Sequence, residues 1–196
     1  MALDLYRLKN DDQYLDKIDE ISQKSLEYIA INKKVEVHIF NGGFLGFYSC
    51  FSTIRQVMKQ YPSQSFKIVG DDCFVLADSS FPSIFDLLFL IALQEGEKHD
   101  ISFSVSKFVE DKIPKCRIDM DFQGLSVSKS LVDDILKDDS LFFTNNLLSL
   151  CLYVAKTIAH RCEGKLLLKE TDDSHTTLSL VMLQECDSIF KTLPKF

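Results

Sequence analysis

The sequence is poor in the features that most directly announce a function. It has no block of basic charge: 22 Lys and Arg stand against 29 Asp and Glu, a net charge of −7. A phosphate backbone needs clustered cations, so nucleic acid is not an expected partner. The chain also lacks a long apolar run. Its most apolar window, Ile84 to Leu93, is about half the length of a bilayer-spanning helix. No basic region followed by an apolar run opens the chain, so the reading is a cytoplasmic protein with no membrane partner. The six cysteines, Cys50, Cys73, Cys116, Cys151, Cys162 and Cys186, include no CxxC pair and no Cys/His cluster at zinc spacing. Reduced, partly buried thiols are expected, and no metal site. Neither Ser49 nor Ser79-Ser80 sits in a G-x-S-x-G frame, which removes the usual support for nucleophilic hydrolysis. No repeat, low-complexity tract or Pro/Ser-rich linker divides the chain.

What is present suits a packed α+β protein. The 196 residues are 46% hydrophobic and 26% charged, enough for one domain, or one small domain with an appended element. Asp11 to Ile31 reads as a helix, with acidic residues at its start and a stripe of Leu15, Ile18, Ile21, Leu26 and Ile29. Leu3, Leu5 and Leu8 suit the end of an earlier helix. Residues 33–41 fit either a continued helix or a strand, and Asn41-Gly42-Gly43 ends it. An amphipathic helix with no sequence-local partner either docks on the rest of the chain or makes a dimer. A helix over Ser52 to Gln60, N-capped by Ser52, stops at Tyr61-Pro62.

Strands are expected at Ser65–Val69 and Cys73–Leu76, separated by the turn Gly70-Asp71-Asp72. Phe81 to Leu93 is a helix apolar on nearly every side, which must be sandwiched between a sheet and another helix. Ile101, Phe103 and Val105 alternate with serines, and Cys116, Ile118, Met120 and Phe122 alternate again. A short helix spans Lys129 to Asp138. A long one begins near Asn145, with Leu147, Leu150, Cys151, Val154 and Ile158 on one face. Gly164 reads as its C-cap, with His160 and Arg161 complementing the last turn. Strands Lys165–Thr171 and Thr176–Met182 follow, joined by Asp172-Asp173-Ser174. The carboxylate pairs Asp71-Asp72, Asp133-Asp134, Asp138-Asp139 and Asp172-Asp173 have no third ligand nearby and read as solvated. His99 and His175 read as surface residues in turns.

The order of elements from Ser65 onward resembles the ATP-binding domain of sensor histidine kinases, whose nucleotide motifs can be checked in turn. The Asn box of a working kinase would fall on Asp86-Leu87-Leu88-Phe89-Leu90-Ile91-Ala92, with the magnesium-holding position near Leu90. The first glycine box has a loose counterpart in Asp119-Met120-Asp121-Phe122-Gln123-Gly124, which keeps an Asp and one Gly but not the spacing. The second, which would cradle phosphate at a helix N-terminus, falls on Thr144-Asn145-Asn146-Leu147 and has no glycine. The resemblance therefore implies a domain without a magnesium site or phosphate cradle, and hence no cofactor.

A degenerate ATPase-like domain (residues 49–196) behind a helical dimerisation segment (residues 1–48) resembles the ChpT-type histidine phosphotransferases. The phrase Ser25-Leu26-Glu27-Tyr28-Ile29-Ala30 leading to His38-Ile39-Phe40-Asn41-Gly42 is a loose version of that family's hairpin ending, with His38 at an Arg position. The resemblance implies a homodimeric component of a bacterial phosphorelay. Its partners would be response-regulator receiver domains and a hybrid histidine kinase, and Lys17, Glu20 and Lys24 are candidate contacts. The family's phosphoacceptor His lies in the first hairpin helix, and Leu3-Asp4-Leu5-Tyr6-Arg7-Leu8 reads as the very end of that helix. Either the start lies upstream or the phosphoryl-carrying step is lost; no catalytic residue is assigned, and His38 reads first as a structural or surface residue and only second as a carrier. Two rivals are a divergent kinase that still binds nucleotide and a non-catalytic dimeric adaptor.

Overall fold

The computed structural model describes residues 43–62, 64–93, 100–137 and 147–185, with scattered helical positions between 14 and 33. The chain divides into two compact units, Met1–Phe40 and Asn41–Phe196. In the first, Tyr14, Leu15, Ile18, Ile21, Leu26 and Ile29 are helical, and all six are exposed.

The second unit runs β1 (Gly46–Ser49), α1 (Cys50–Met58), β2 (Ser65–Gly70), β3 (Phe74–Ala77), α2 (Phe81–Leu93), β4 (Asp100–Glu110) and β5 (Ile113–Gln123). It continues through α3 (Lys129–Lys137), α4 (Leu147–Arg161), β6 (Lys165–Thr171) and β7 (His175–Leu183). Five strands form one sheet in the order β2-β4-β5-β7-β6, and β1 pairs with β3 in a small second sheet. The β2–β4 pair is parallel; β4–β5, β5–β7 and β6–β7 are antiparallel.

Strand alternation decides which face of the large sheet is covered. Ile101, Phe103 and Val105 of β4 and Cys116, Ile118, Met120 and Phe122 of β5 are buried, as are Leu178, Leu180 and Met182 of β7. The helix with no polar side, α2, lies on this face. Phe81, Phe85 and Phe89 recur one turn apart along it; Phe81 packs on Phe85, and Phe85 and Phe89 meet Phe103 and Phe66 from the sheet, ring to ring at 5.1–6.3 Å. Helix α4 packs against α2, so α2 is sandwiched as its composition requires. The buried face of α4 is wider than a single stripe: Leu152, Ala155 and Ala159 are buried with Leu147, Cys151, Val154 and Ile158, while Leu150 is only half-buried.

Two helix ends differ from the sequence expectation. The N-cap of α1 is Ser49, not Ser52: its Oγ accepts from the Ser52 N–H at 3.0 Å and donates to Asp72 at 2.8 Å. Asp72 also accepts from the Phe51 N–H at 2.9 Å, so the cap is fixed by a residue more than 20 positions along the chain, beyond any local pattern. At the end of α4 the left-handed residue is Glu163, with φ of 55°, rather than Gly164. Glu163 N donates to the His160 carbonyl at 3.0 Å and Gly164 N to the Ala159 carbonyl at 2.8 Å, the bond pair of a Schellman motif. Gly164 is required by close approach, since a Cβ there would lie 2.3 Å from Met182 Sδ and 2.8 Å from the Val181 oxygen. A left-handed non-glycine residue carries strain, so Glu163→Gly is expected to stabilise the domain by about 0.5–1 kcal/mol. A rise in urea midpoint at unchanged slope measures it. An unchanged or lower midpoint contradicts it.

Candidate functional site

Among the described residues a crevice lies where α2, α3 and α4 converge on the β5–β7 end of the sheet. Leu88 and Ile91 come from α2, Val132 from α3, Leu152 from α4, and Phe122 and Leu178 from the strands. The space open within the crevice is only about 10 Å³, room for about one water and far below the range of small-molecule sites. Thr176 contributes a hydroxyl, but its Oγ1 donates to the Leu125 carbonyl at 2.9 Å. Every other lining side chain is apolar, and the lining includes no carboxylate, amide or cation.

The three stretches that the sequence comparison singled out can now be located. On α2, Leu90 is half-buried and Asp86 accepts a hydrogen bond from the Tyr61 hydroxyl. Burial, followed by that contact with Asp86, raises the Tyr61 hydroxyl far above its ordinary pKa. Asp119 and Asp121 lie in the middle of β5, alternating with Ile118, Met120 and Phe122. Since Phe122 lines the crevice, both carboxylates belong to the opposite face of the sheet. There Asp119 accepts from Lys169 at 2.8 Å, and Asp121 accepts from Gln123 at 2.7 Å and Thr177 at 3.0 Å. Thr144, Asn145 and Asn146 lie outside the described residues, and α4 begins at Leu147. Among the described residues that line the crevice, none is suited to hold magnesium or phosphate.

Of the candidate docking residues, Lys17 is helical and exposed, while Glu20 and Lys24 lie outside the described residues. So do His38 and His99, the latter standing immediately before Asp100 in the sequence's one His-Asp dipeptide. His160 is exposed on the last turn of α4. His175 Nδ1 lies 2.8 Å from Asp172 Oδ2. Asp172 also accepts from the Ser174 N–H and hydroxyl and from the His175 N–H. These contacts, Ser174's backbone first, hold its carboxyl down at about 2.

Two groupings were invisible to spacing arguments. Arg161, expected only to complement the end of α4, forms a buried clamp. Its Nε lies 2.6 Å from Asp78 Oδ2, and a terminal guanidinium nitrogen donates to Ser80 Oγ at 2.9 Å. The second is a cysteine cluster. Cys73 and Cys116 are joined in a disulfide, which corrects the expectation of reduced thiols for this pair. Cys50 Sγ lies 3.9 Å from Cys73 Sγ and 3.7 Å from Cys116 Sγ. Topology brings the three together: the β1–β3 ladder runs on to set Cys50 beside Cys73, and β5 carries Cys116 beneath them. Cys50, Cys151 and Cys162 are free and buried.

No protein-family model and no curated protein sequence matches the chain. Solved structures do. The catalytic domain of histidine kinase ThkA in a nucleotide-free form is 18% identical, with a TM-score of 0.58, over 72% of this chain and 96% of that one. The mycobacterial sensor histidine kinase MprB is 11% identical, with a TM-score of 0.55, over 72% of this chain and 99% of that one. Histidine kinase ThkA in complex with response regulator protein TrrA is 17% identical, with a TM-score of 0.58, over 91% of this chain and 51% of that one. The fold of the second unit is the α/β sandwich of the histidine-kinase ATPase domain.

Proposed function

We propose that this protein is a histidine phosphotransferase-like component of a bacterial two-component phosphorelay, a dimer that docks response-regulator receiver domains and does not bind ATP. The observation that carries this reading is the apolar filling of the crevice between α2, α3 and α4 in a domain with the kinase ATPase fold. Burying triphosphate and magnesium among leucine, valine and phenylalanine side chains would leave their charges unpaired, at prohibitive cost. A divergent kinase would need polar groups there. A fold kept after its chemistry is gone is best explained by its surfaces, and a kinase of this fold is known in complex with a response regulator.

The dimer is assigned to the helical first unit. Tyr14, Leu15, Ile18, Ile21, Leu26 and Ile29 are each at least 38% exposed. An apolar stripe of this extent is covered most simply by the same stripe of a second copy. Lys17, Glu20 and Lys24 are the proposed receiver contacts; no phosphoryl carrier is assigned, and His38 is tested as one behind a structural or surface role. A dimeric adaptor without phosphoryl transfer would use the same surfaces, and the presence or absence of labelled histidine separates the two.

The wild-type protein is expected to be a dimer by light scattering, and Leu15→Asp with Ile18→Asp a monomer. Receiver domains from the same genome, presented in interferometry, are expected to bind. Lys17→Glu with Lys24→Glu should weaken the best of them by about tenfold at low salt. Acid-labile phosphate should pass from a phosphorylated receiver to the protein and be lost in His38→Ala. A monomeric wild type that binds no receiver domain would overturn the reading. Docking without any phosphohistidine would replace it by the adaptor.

A further inference from the structure

We propose that Cys50, Cys73 and Cys116 form a redox site with two interchangeable cross-links, the Cys73–Cys116 disulfide and a Cys50–Cys116 disulfide reached by exchange within the cluster. The three sulfurs come from three elements: Cys50 opens α1, Cys73 precedes β3, and Cys116 lies within β5. All three residues are at most 1% exposed. Cys50 N donates to the Cys73 carbonyl at 3.0 Å, so the two backbones are fixed as neighbours. The free Cys50 sulfur is thereby held 3.7–3.9 Å from both disulfide sulfurs. Cys116 is the nearer of the two, and attack on it along the S–S axis requires the Cys50 side chain to turn from its present side-on position.

The exchange moves no electrons out of the protein. Cys50 gives up its proton as its sulfur bonds to Cys116 Sγ; the Cys73–Cys116 bond breaks, and Cys73 leaves as thiolate and takes a proton. Formation of the first disulfide from two thiols passes two electrons and two protons to a low-molecular-weight disulfide such as oxidised glutathione. A dithiol reverses it.

The three sulfurs also lie within 4.8 Å of one another, close enough to share a metal ion. Charge argues against that. Three thiolates would be buried beside the carboxylate of Asp72, itself held by Ser49 Oγ and the Phe51 N–H. Burial first, and then Asp72, push the Cys50 thiol up to about 12. Among the described residues no fourth His, Cys, Asp or Glu joins the group. Neutral thiol and neutral disulfide suit this place better than an anionic metal complex. The consequence is mechanical. With Cys73 linked, the small sheet is stapled to the large one; with Cys50 linked, the staple moves to the start of α1.

The test is disulfide mapping of the full chain after equilibration in glutathione buffer, acid quenching and non-reducing digestion. Wild type is expected to yield both the Cys73–Cys116 and the Cys50–Cys116 peptides. Cys50→Ser should yield only the former and Cys73→Ser only the latter, with Cys151 and Cys162 alkylated throughout. A dithiol should lower the wild-type Tm by roughly 10 °C, the effect of opening a closed loop of 43 residues. Three alkylated thiols in oxidised wild type would overturn the site. A wild-type map with the Cys73–Cys116 peptide alone would overturn the exchange, whether or not the variants fold. Stoichiometric zinc co-purifying with three uncrosslinked cysteines would overturn both and make the cluster a metal centre.

Discussion

Phe89→Ala is expected to cost the domain about 4 kcal/mol, a large share of the total stability of a protein this size. Phe89 is fully buried on α2 and touches three other rings: Phe66 at 5.1 Å, Tyr61 at 5.4 Å and Phe103 at 5.7 Å. Its removal forfeits the transfer energy of a phenyl ring and leaves a cavity. The rings around it come from β2, β4 and the segment after α1, so they cannot all collapse inward. Phe89→Leu should cost about 1.5 kcal/mol or less. Urea unfolding measures both. An alanine variant within about 1 kcal/mol of wild type would mean that α2 is not the centre of the core. The result bears on function too. On this chain the central turn of that helix is given over to packing.

The second large effect is expected at Arg161. Asp78 is 1% exposed, and its carboxylate accepts from Arg161 and from the Ser80 N–H. Arg161→Met would leave that carboxylate buried without its cation. The expected loss is about 3 kcal/mol, the lower end for a broken buried pair because the Arg161 side chain is 26% exposed. Removing both charges tests the cause. Asp78→Leu with Arg161→Met is expected to recover more than half of the loss, since an apolar pair needs no charge compensation. A double variant as unstable as Arg161→Met alone would show that the guanidinium acts by packing.

Much of this fold is legible along the chain because its elements are dictated by local periodicity. Helix α2 spans Phe81–Leu93 as its composition demands, and the alternation of Ile101, Phe103 and Val105 with serines fixes both a strand and its buried face. What was not legible depends on chain crossings. Asp72 selects Ser49 as the cap of α1 from 23 residues away, and Arg161 meets Asp78 from 83. Cys73 and Cys116 are separated by 43 residues and carry no motif. Glu163 took the left-handed position because Gly164 was already needed one residue later, against Met182. Asp119 and Asp121 are placed by strand register: a period of two sends both to the face opposite the crevice.

The central claim is that a kinase-type ATPase fold persists here without nucleotide binding. Isothermal titration of the full chain with ATP and magnesium, paired with thermal unfolding at the same concentrations, tests it most directly. No binding heat and no change in Tm are expected up to millimolar ATP. Saturable heat, with stabilisation approaching about 2.7 kcal/mol at a hundredfold excess over Kd, would contradict the account and return the protein to the working kinases.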